Sequence, residues 1–105
     1  MWRTSFCWHV EDMDLYAINF HHHGAPKQWY CVPPAAAHKL ELVAARLFEE
    51  QSNCCSQFMR HKTCMINPEV CRAYGVTVHS MLQTERDIIV VFPHAYHRFV
   101  ATHMI

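Results

Sequence analysis

Hydrophobic and polar residues alternate over three early stretches of the chain, in the pattern of half-buried β-strands. The stretches Thr4–His9 and Leu15–His22 are rich in β-forming residues, and Lys27–Val32 alternates until a double proline ends it. After residue 75 the pattern returns to strand over Val76–Gln83 and Asp87–Phe92. The continuous apolar run at 88–91 is typical of a strand buried on both faces. We therefore predict five strands.

Helical spacing replaces the alternation in the middle of the chain. Pro34 suits the first position of a helix, and apolar residues then recur every three or four positions to about Glu50. A second short helix is predicted over Cys54–Lys62. A third should follow Asn67-Pro68 and end near Tyr74, with Gly75 as its stop signal. The strands thus enclose a helical insert over about residues 34–75.

Composition limits the class of protein. The chain has 105 residues, about half of them hydrophobic, which is enough for one modest core. Its formal net charge is zero, so nothing indicates a nucleic-acid-binding surface or attraction to a membrane. No apolar run approaches the roughly 20 residues of a membrane span, and the first residues do not form a secretory signal. The six cysteines are expected to be reduced thiols of a nuclear or cytosolic protein.

His9 and Glu11 are the first candidates for chemistry. They lie two residues apart, so on a β-strand both side chains would leave the same face. A histidine from a distant strand would complete two imidazoles and one carboxylate, a set that suits non-haem Fe(II) in an oxygenase. The motif alone is weak evidence, because about one His-x-acid pair is expected by chance in a chain with this many histidines and acids.

The surrounding residues are more specific. They comprise the run from Trp8 to Asn19, the segments 24–30 and 32–34, Arg60-His61-Lys62, and the segment Phe92–His97. The sequence of these segments resembles that of the jumonji-C (JmjC) histone lysine demethylases, most of all the trimethyl-lysine (JMJD2-type) subfamily. The resemblance covers nearly the whole chain, to about His97. The resemblance implies an all-β fold with a helical insert, the double-stranded β-helix (a cupin-like jelly roll). With five of about eight strands, residues 1–105 are expected to be a partial JmjC domain truncated at both ends.

The resemblance also implies roles for individual residues. His9, Glu11 and His97 would bind Fe(II), and Lys27 would pair with the distal carboxylate of 2-oxoglutarate. Asn19 matches a polar cofactor contact, and Trp29 matches part of the cofactor wall. Asp12 and Lys62 would lie near the substrate. Cys55 and His61 resemble half of a structural zinc site, with Cys54 or Cys64 as possible further ligands.

The implied activity is Fe(II)- and 2-oxoglutarate-dependent demethylation of tri- or dimethyl-lysine on the histone H3 tail, in nuclear chromatin. It would proceed by hydroxylation and release of formaldehyde. Two alternatives stay open: a related JmjC protein hydroxylase, and a catalytically inactive fragment that acts as an interaction module. Three of these residues also have interpretations without a role in a site: His97 as a core histidine, Lys27 as a surface lysine and Trp29 as a core residue. The tract 21–23 of three histidines is interpreted as a variable strand end with adventitious metal affinity.

Overall fold

A computed structural model describes residues 2–55, 57–61 and 65–103. Its six strands are β1 (Trp2–Ser5), β2 (Ala17–Phe20), β3 (Lys27–Val32), β4 (His79–Gln83), β5 (Ile88–Val91) and β6 (Tyr96–His103). Three α-helices lie between β3 and β4, namely α1 (Pro34–Leu47), α2 (Glu49–Cys54) and α3 (Pro68–Ala73). Two short 3-10 helices cover Asp12–Asp14 and Phe58–His61.

The strands form two antiparallel sheets. The larger sheet has the order β1-β6-β3-β4, and the smaller one pairs β2 with β5. Strands β3 and β6 form the centre of the larger sheet, with Trp29 opposite Phe99 and Cys31 opposite His97. Two facing antiparallel sheets with a helical insert agree with the predicted incomplete jelly roll.

Two apolar clusters lie on opposite faces of the larger sheet, because side chains alternate along β3 and β6. Trp29 and Phe99 pack toward the smaller sheet, where they meet Val91 and Ala95. The opposite face carries Val32 and Tyr96 and packs against the helices, together with residues such as the fully buried Trp8 and Leu40. The cluster that contains Trp29 and Phe99 therefore lies between the two sheets.

The helical insert differs in part from the prediction. Helix α1 begins at Pro34 as expected, but the helix predicted to continue to about Glu50 is broken at Phe48, whose backbone leaves the helical region. The helix predicted for Cys54–Lys62 is also wrong, because Cys55 is extended and only a 3-10 turn follows it. The predicted third helix is confirmed: the Asn67 side chain accepts a hydrogen bond from the Glu69 backbone N–H, and Gly75 has a φ of +81°.

The strand predictions also need corrections. Strand β3 has the predicted bounds, whereas the second, fourth and fifth strands are shorter than expected. The first strand is displaced, since it covers Trp2–Ser5 and the prediction was Thr4–His9. The prediction that β5 is buried on both faces is wrong, because Ile88 and Val90 are 60% and 50% exposed. Strand β6 was not predicted at all. No helix in the described part of the chain is long and apolar enough to cross a membrane.

Candidate metal centre

His9 and His97 are held side by side by the backbone. Each donates its N–H to the carbonyl of the other, at N–O distances of 3.3 Å for the His9 donor and 3.0 Å for the His97 donor. The centroids of their imidazole rings lie 4.3 Å apart. This antiparallel bridge joins two residues that are far apart in sequence. His97 is the second residue of β6, so the bridge brings His9 to the start of that strand.

Glu11 completes the group from a loop. It lies in extended conformation before the first 3-10 helix and belongs to no strand, so only the strand predicted for this segment is wrong. The His9 and Glu11 side chains do point the same way, as predicted. The three side chains nevertheless converge. The Glu11 Oε1 atom lies 3.5 Å from His9 Nε2 and 3.2 Å from His97 Nε2. One ligand atom from each of the three residues lies within 4.8 Å of the other two.

Backbone carbonyls fix which imidazole nitrogens face Glu11. His9 Nδ1 lies 2.8 Å from the Cys7 carbonyl oxygen, and His97 Nδ1 lies 3.0 Å from the Ala95 carbonyl oxygen. A carbonyl can only accept a hydrogen bond, so each Nδ1 is the donor. In a neutral imidazole the Nε2 atom then carries a lone pair, which is the form that binds a metal ion.

Burial favours the neutral form of His97. The side chain is almost fully buried, and this burial lowers the pKa of His97 below its ordinary value, an effect that the Glu11 carboxylate only partly offsets. The two Nε2 atoms and the Glu11 carboxylate oxygen face one another, an arrangement that a bound cation would stabilise. Two imidazoles and one carboxylate fit Fe(II). Among the described residues, this is the one convergent group of three or more His, Cys, Asp or Glu side chains.

A cavity of about 350 Å³ adjoins the three residues. Its other lining side chains include Asn19, Trp29 and Phe99. The Trp29 indole lies nearly parallel to the His97 imidazole, with ring centroids 6.3 Å apart, and it packs against Phe99 at 4.7 Å. The cavity thus has an aromatic wall beside the candidate metal ligands.

Lys27 lies next to this wall. Its Nζ atom donates a hydrogen bond of 3.3 Å to Asn19 Oδ1 and lies 5.2 Å from the centroid of the Phe99 ring. Both partners line the cavity. Among the described residues, no carboxylate forms an ion pair with Lys27, so its charge is available to an anionic ligand. Asn19 and Trp29 line the cavity, whereas Lys27 lies beside it and does not line it, contrary to the prediction that it points into the cavity. The roles of these residues toward a cofactor stay predictions.

The remaining predicted site residues are less well supported. Asp12 is exposed in the 3-10 helix that follows Glu11. Lys62 and Cys64 lie outside the described residues. Cys55 is half-buried beyond the end of α2, and His61 is exposed at the end of the second 3-10 helix. No third ligand joins these two in the described part of the chain, so the zinc half-site stays a prediction.

Sequence reasoning missed three residues near the cavity. Phe6 and Phe99 line it and pack on each other with centroids 4.5 Å apart. Gln83 is fully buried behind it. The alternation of His97, Phe99 and Ala101 could have indicated a strand with Phe99 facing inward. No comparable pattern identifies Phe6 or Gln83, since their roles depend on strands from other parts of the chain.

The sequence of the chain matches a protein family and several curated proteins. Residues 1–104 match the family model described as "JmjC domain, hydroxylase". Over 97 residues, 92% of the chain, it is 47% identical to Lysine-specific demethylase 4D of Rattus norvegicus and 46% identical to Probable lysine-specific demethylase 4F of Homo sapiens. Identity to Lysine-specific demethylase 4B of Mus musculus is 42% over the same length. These matches cover 19%, 15% and 9% of the respective relatives. The chain belongs to the JmjC domain family, and its two sheets are part of the cupin-like fold of that family.

Proposed function

We propose that this chain is part of a JmjC domain that demethylates N-methyl-lysine with Fe(II) and 2-oxoglutarate. The observation that carries the proposal is the convergence of His9 Nε2, His97 Nε2 and a Glu11 carboxylate oxygen. These three residues would hold the iron through two nitrogens and one oxygen. Held by these three protein ligands, the iron would still be able to bind a cosubstrate.

The residues around the cavity suit a dicarboxylate cosubstrate. Lys27 would attract the distal carboxylate of 2-oxoglutarate, and Asn19 both orients the ammonium and offers a polar contact of its own. Trp29 and Phe99 would cover the aliphatic part of the cosubstrate and exclude water from the metal. When bound, Fe(II) and 2-oxoglutarate would allow dioxygen to hydroxylate a methyl group: one oxygen atom enters a methyl C–H bond, and the other enters the succinate that forms as 2-oxoglutarate loses carbon dioxide.

A methylated lysine of the histone H3 tail is the substrate we propose, because the relatives are named lysine-specific demethylases. Hydroxylation of an N-methyl carbon gives an unstable product that releases formaldehyde. This route needs no lone pair on nitrogen, so a trimethylated lysine can react. Asp12, next to Glu11 and exposed, would attract the cationic substrate. Action on histones implies chromatin as the partner and the nucleus as the location. A structural zinc ion bound by Cys55 and His61 remains part of the proposal.

Formaldehyde release tests the proposal. The protein that contains this chain is incubated with a trimethyl-lysine H3 peptide, Fe(II) and 2-oxoglutarate, and formaldehyde is measured with and without each component. His97→Ala should lower turnover by at least about 100-fold, since it removes a metal ligand. His94→Ala is the matched control, because His94 is exposed and pairs with Asp14. It should change turnover by less than about threefold.

Each alternative has its own outcome in this assay. A JmjC protein hydroxylase would consume 2-oxoglutarate and leave oxygen in the substrate without releasing formaldehyde. A non-catalytic interaction module would consume no 2-oxoglutarate with any substrate. Either result would overturn the demethylase proposal.

A further inference from the structure

Gln83 is a fully buried polar residue at the end of β4, and both polar atoms of its side-chain amide form hydrogen bonds. Its Oε1 atom accepts a hydrogen bond of 2.7 Å from the Trp29 indole Nε1. Its Nε2 atom donates to the backbone carbonyls of Asn19, at 3.0 Å, and Asp87, at 3.1 Å. An indole N–H can only donate and a carbonyl can only accept, so these three partners allow one orientation of the amide.

This amide connects the two sheets. Trp29 and Gln83 belong to the larger sheet, Asn19 belongs to β2 in the smaller sheet, and Asp87 immediately precedes β5. Gln83 is also the register partner of Lys27 across the β3–β4 ladder. One side chain therefore fixes the distance between the sheets at the place where the cofactor candidates lie.

The partners of Gln83 lead to both halves of the candidate site. Through Trp29 it supports the ring that lies against His97 and Phe99. Through the Asn19 backbone it supports the residue whose side chain accepts the Lys27 hydrogen bond. Gln83 itself does not line the cavity or contact His9, Glu11 or His97. Its effect on a ligand must pass through these neighbours.

We propose that Gln83 is a positioning residue, which holds the Trp29 ring and the Asn19–Lys27 pair in the geometry that binds 2-oxoglutarate. This inference rests on the proposed function, since it concerns the same cavity. Loss of the amide would leave the Trp29 N–H and two buried carbonyls without this partner, and the wall would relax to find others. The metal ligands have their own backbone supports, so metal binding would be retained.

The test measures ligand binding separately from turnover. In the full-length protein that contains this chain, Mn(II) serves as a redox-stable substitute for iron. Calorimetry gives the dissociation constants of Mn(II) and then of 2-oxoglutarate. Gln83→Met keeps the length of the side chain and removes its hydrogen bonds. Gln28→Met is the matched control, because Gln28 also bridges β3 to β4 by donating to the Met81 carbonyl, at 3.1 Å. Gln28 also donates to the Trp29 carbonyl, at 3.3 Å, but it contacts no Trp29 ring atom by a hydrogen bond and does not line the cavity.

We expect Gln83→Met to raise the dissociation constant of 2-oxoglutarate by at least about tenfold and that of Mn(II) by less than about threefold. The KM for 2-oxoglutarate should rise in parallel, with a smaller change in kcat. Gln28→Met should change neither binding constant. If Gln83→Met does not fold, Gln83→Asn is measured against the same expectations, since it keeps a neutral amide but is too short to reach all three partners.

Three results would overturn the inference. A Gln83 variant that unfolds at a lower temperature but binds 2-oxoglutarate as the wild type does would show a purely structural role. Equal losses of Mn(II) and 2-oxoglutarate binding would show a general disturbance of the fold. A wild-type protein that binds no 2-oxoglutarate would refute the proposed function itself, and the inference with it.

Discussion

Replacement of Lys27 by methionine tests the electrostatic part of the candidate site. Lys27 is half-buried, its ammonium lies between the Asn19 amide oxygen and the Phe99 ring, and it pairs with no carboxylate in the described part of the chain. Methionine has a similar length and can occupy the same space without a charge. The substitution should therefore remove the attraction for a carboxylate and leave the packing of the aromatic wall largely intact.

The size of the effect follows from Coulomb's law. A carboxylate about 4 Å from an ammonium is stabilised by about 4 kcal/mol at an effective dielectric constant of about 20. Because Lys27 is only half-buried, solvent screening should reduce this to about 2–3 kcal/mol. Since about 1.4 kcal/mol corresponds to a tenfold change, the dissociation constant of 2-oxoglutarate should rise roughly 30- to 140-fold.

The assay is a titration of the Mn(II)-loaded, full-length protein with 2-oxoglutarate, with Lys39→Met as the matched control. Lys39 is exposed on α1 and lies near Gly75, in a part of the fold that does not line the cavity. The control should leave the dissociation constant unchanged, and Mn(II) affinity should be retained in both variants. An increase of less than about threefold for Lys27→Met would refute the assignment of this lysine to the cosubstrate.

Three further predictions concern other parts of the molecule. Glu11→Gln should leave the thermal unfolding temperature of the metal-free protein nearly unchanged but abolish its increase on addition of Mn(II); a large loss of stability without metal would contradict the site described here. Burial raises the pKa of the Cys71 thiol, so at a given pH Cys71 has a smaller thiolate fraction than an ordinary cysteine. Exposed Cys54 should therefore be alkylated before Cys71, as peptide mass spectrometry would show. Arg98 is buried without a carboxylate partner among the described residues, and one of its acceptors, the Ile66 carbonyl, also accepts a hydrogen bond from the Trp8 indole. Arg98→Met should therefore lower the free energy of unfolding, measured with denaturant, by less than about 1 kcal/mol. A decrease of more than about 3 kcal/mol would show that the guanidinium is essential.

The candidate site could be predicted from the sequence better than the local structure that forms it. His9, Glu11 and His97 were identified from the motif and the family resemblance, and the structure brings them together. Glu11 lies in a loop before a 3-10 helix and not on the strand predicted for it, although its side chain does reach that of His9. Convergence depends instead on the pairing of His9 with His97, a long-range contact that no local pattern encodes. Strand β3 was predicted correctly because its alternation and the prolines after it are local signals.

Residues whose environment comes from several strands were the hardest to predict. Strand β6 continues past His97, where the resemblance to the family fades, although its inward residues include Phe99 of the cavity wall. Ile88 and Val90 are apolar and were expected to be buried, yet the smaller sheet leaves their face exposed. Gln83 is one polar residue at the end of a strand, and only the assembled sheets give its amide three partners. Tertiary contacts determine each of these features.

The direct pairing of His9 with His97 has a consequence for the order in which the protein is made. A chain that has been synthesised only through β5 contains two of the three candidate ligands and lacks the strand that aligns them. Stable iron binding must therefore wait until β6 has left the ribosome and closed a loop that includes most of the chain. Closing so long a loop is entropically costly and slow compared with local helix formation. Metal capture would then come after the local helices have formed, and the bound ion would hold closed the contact that created its site.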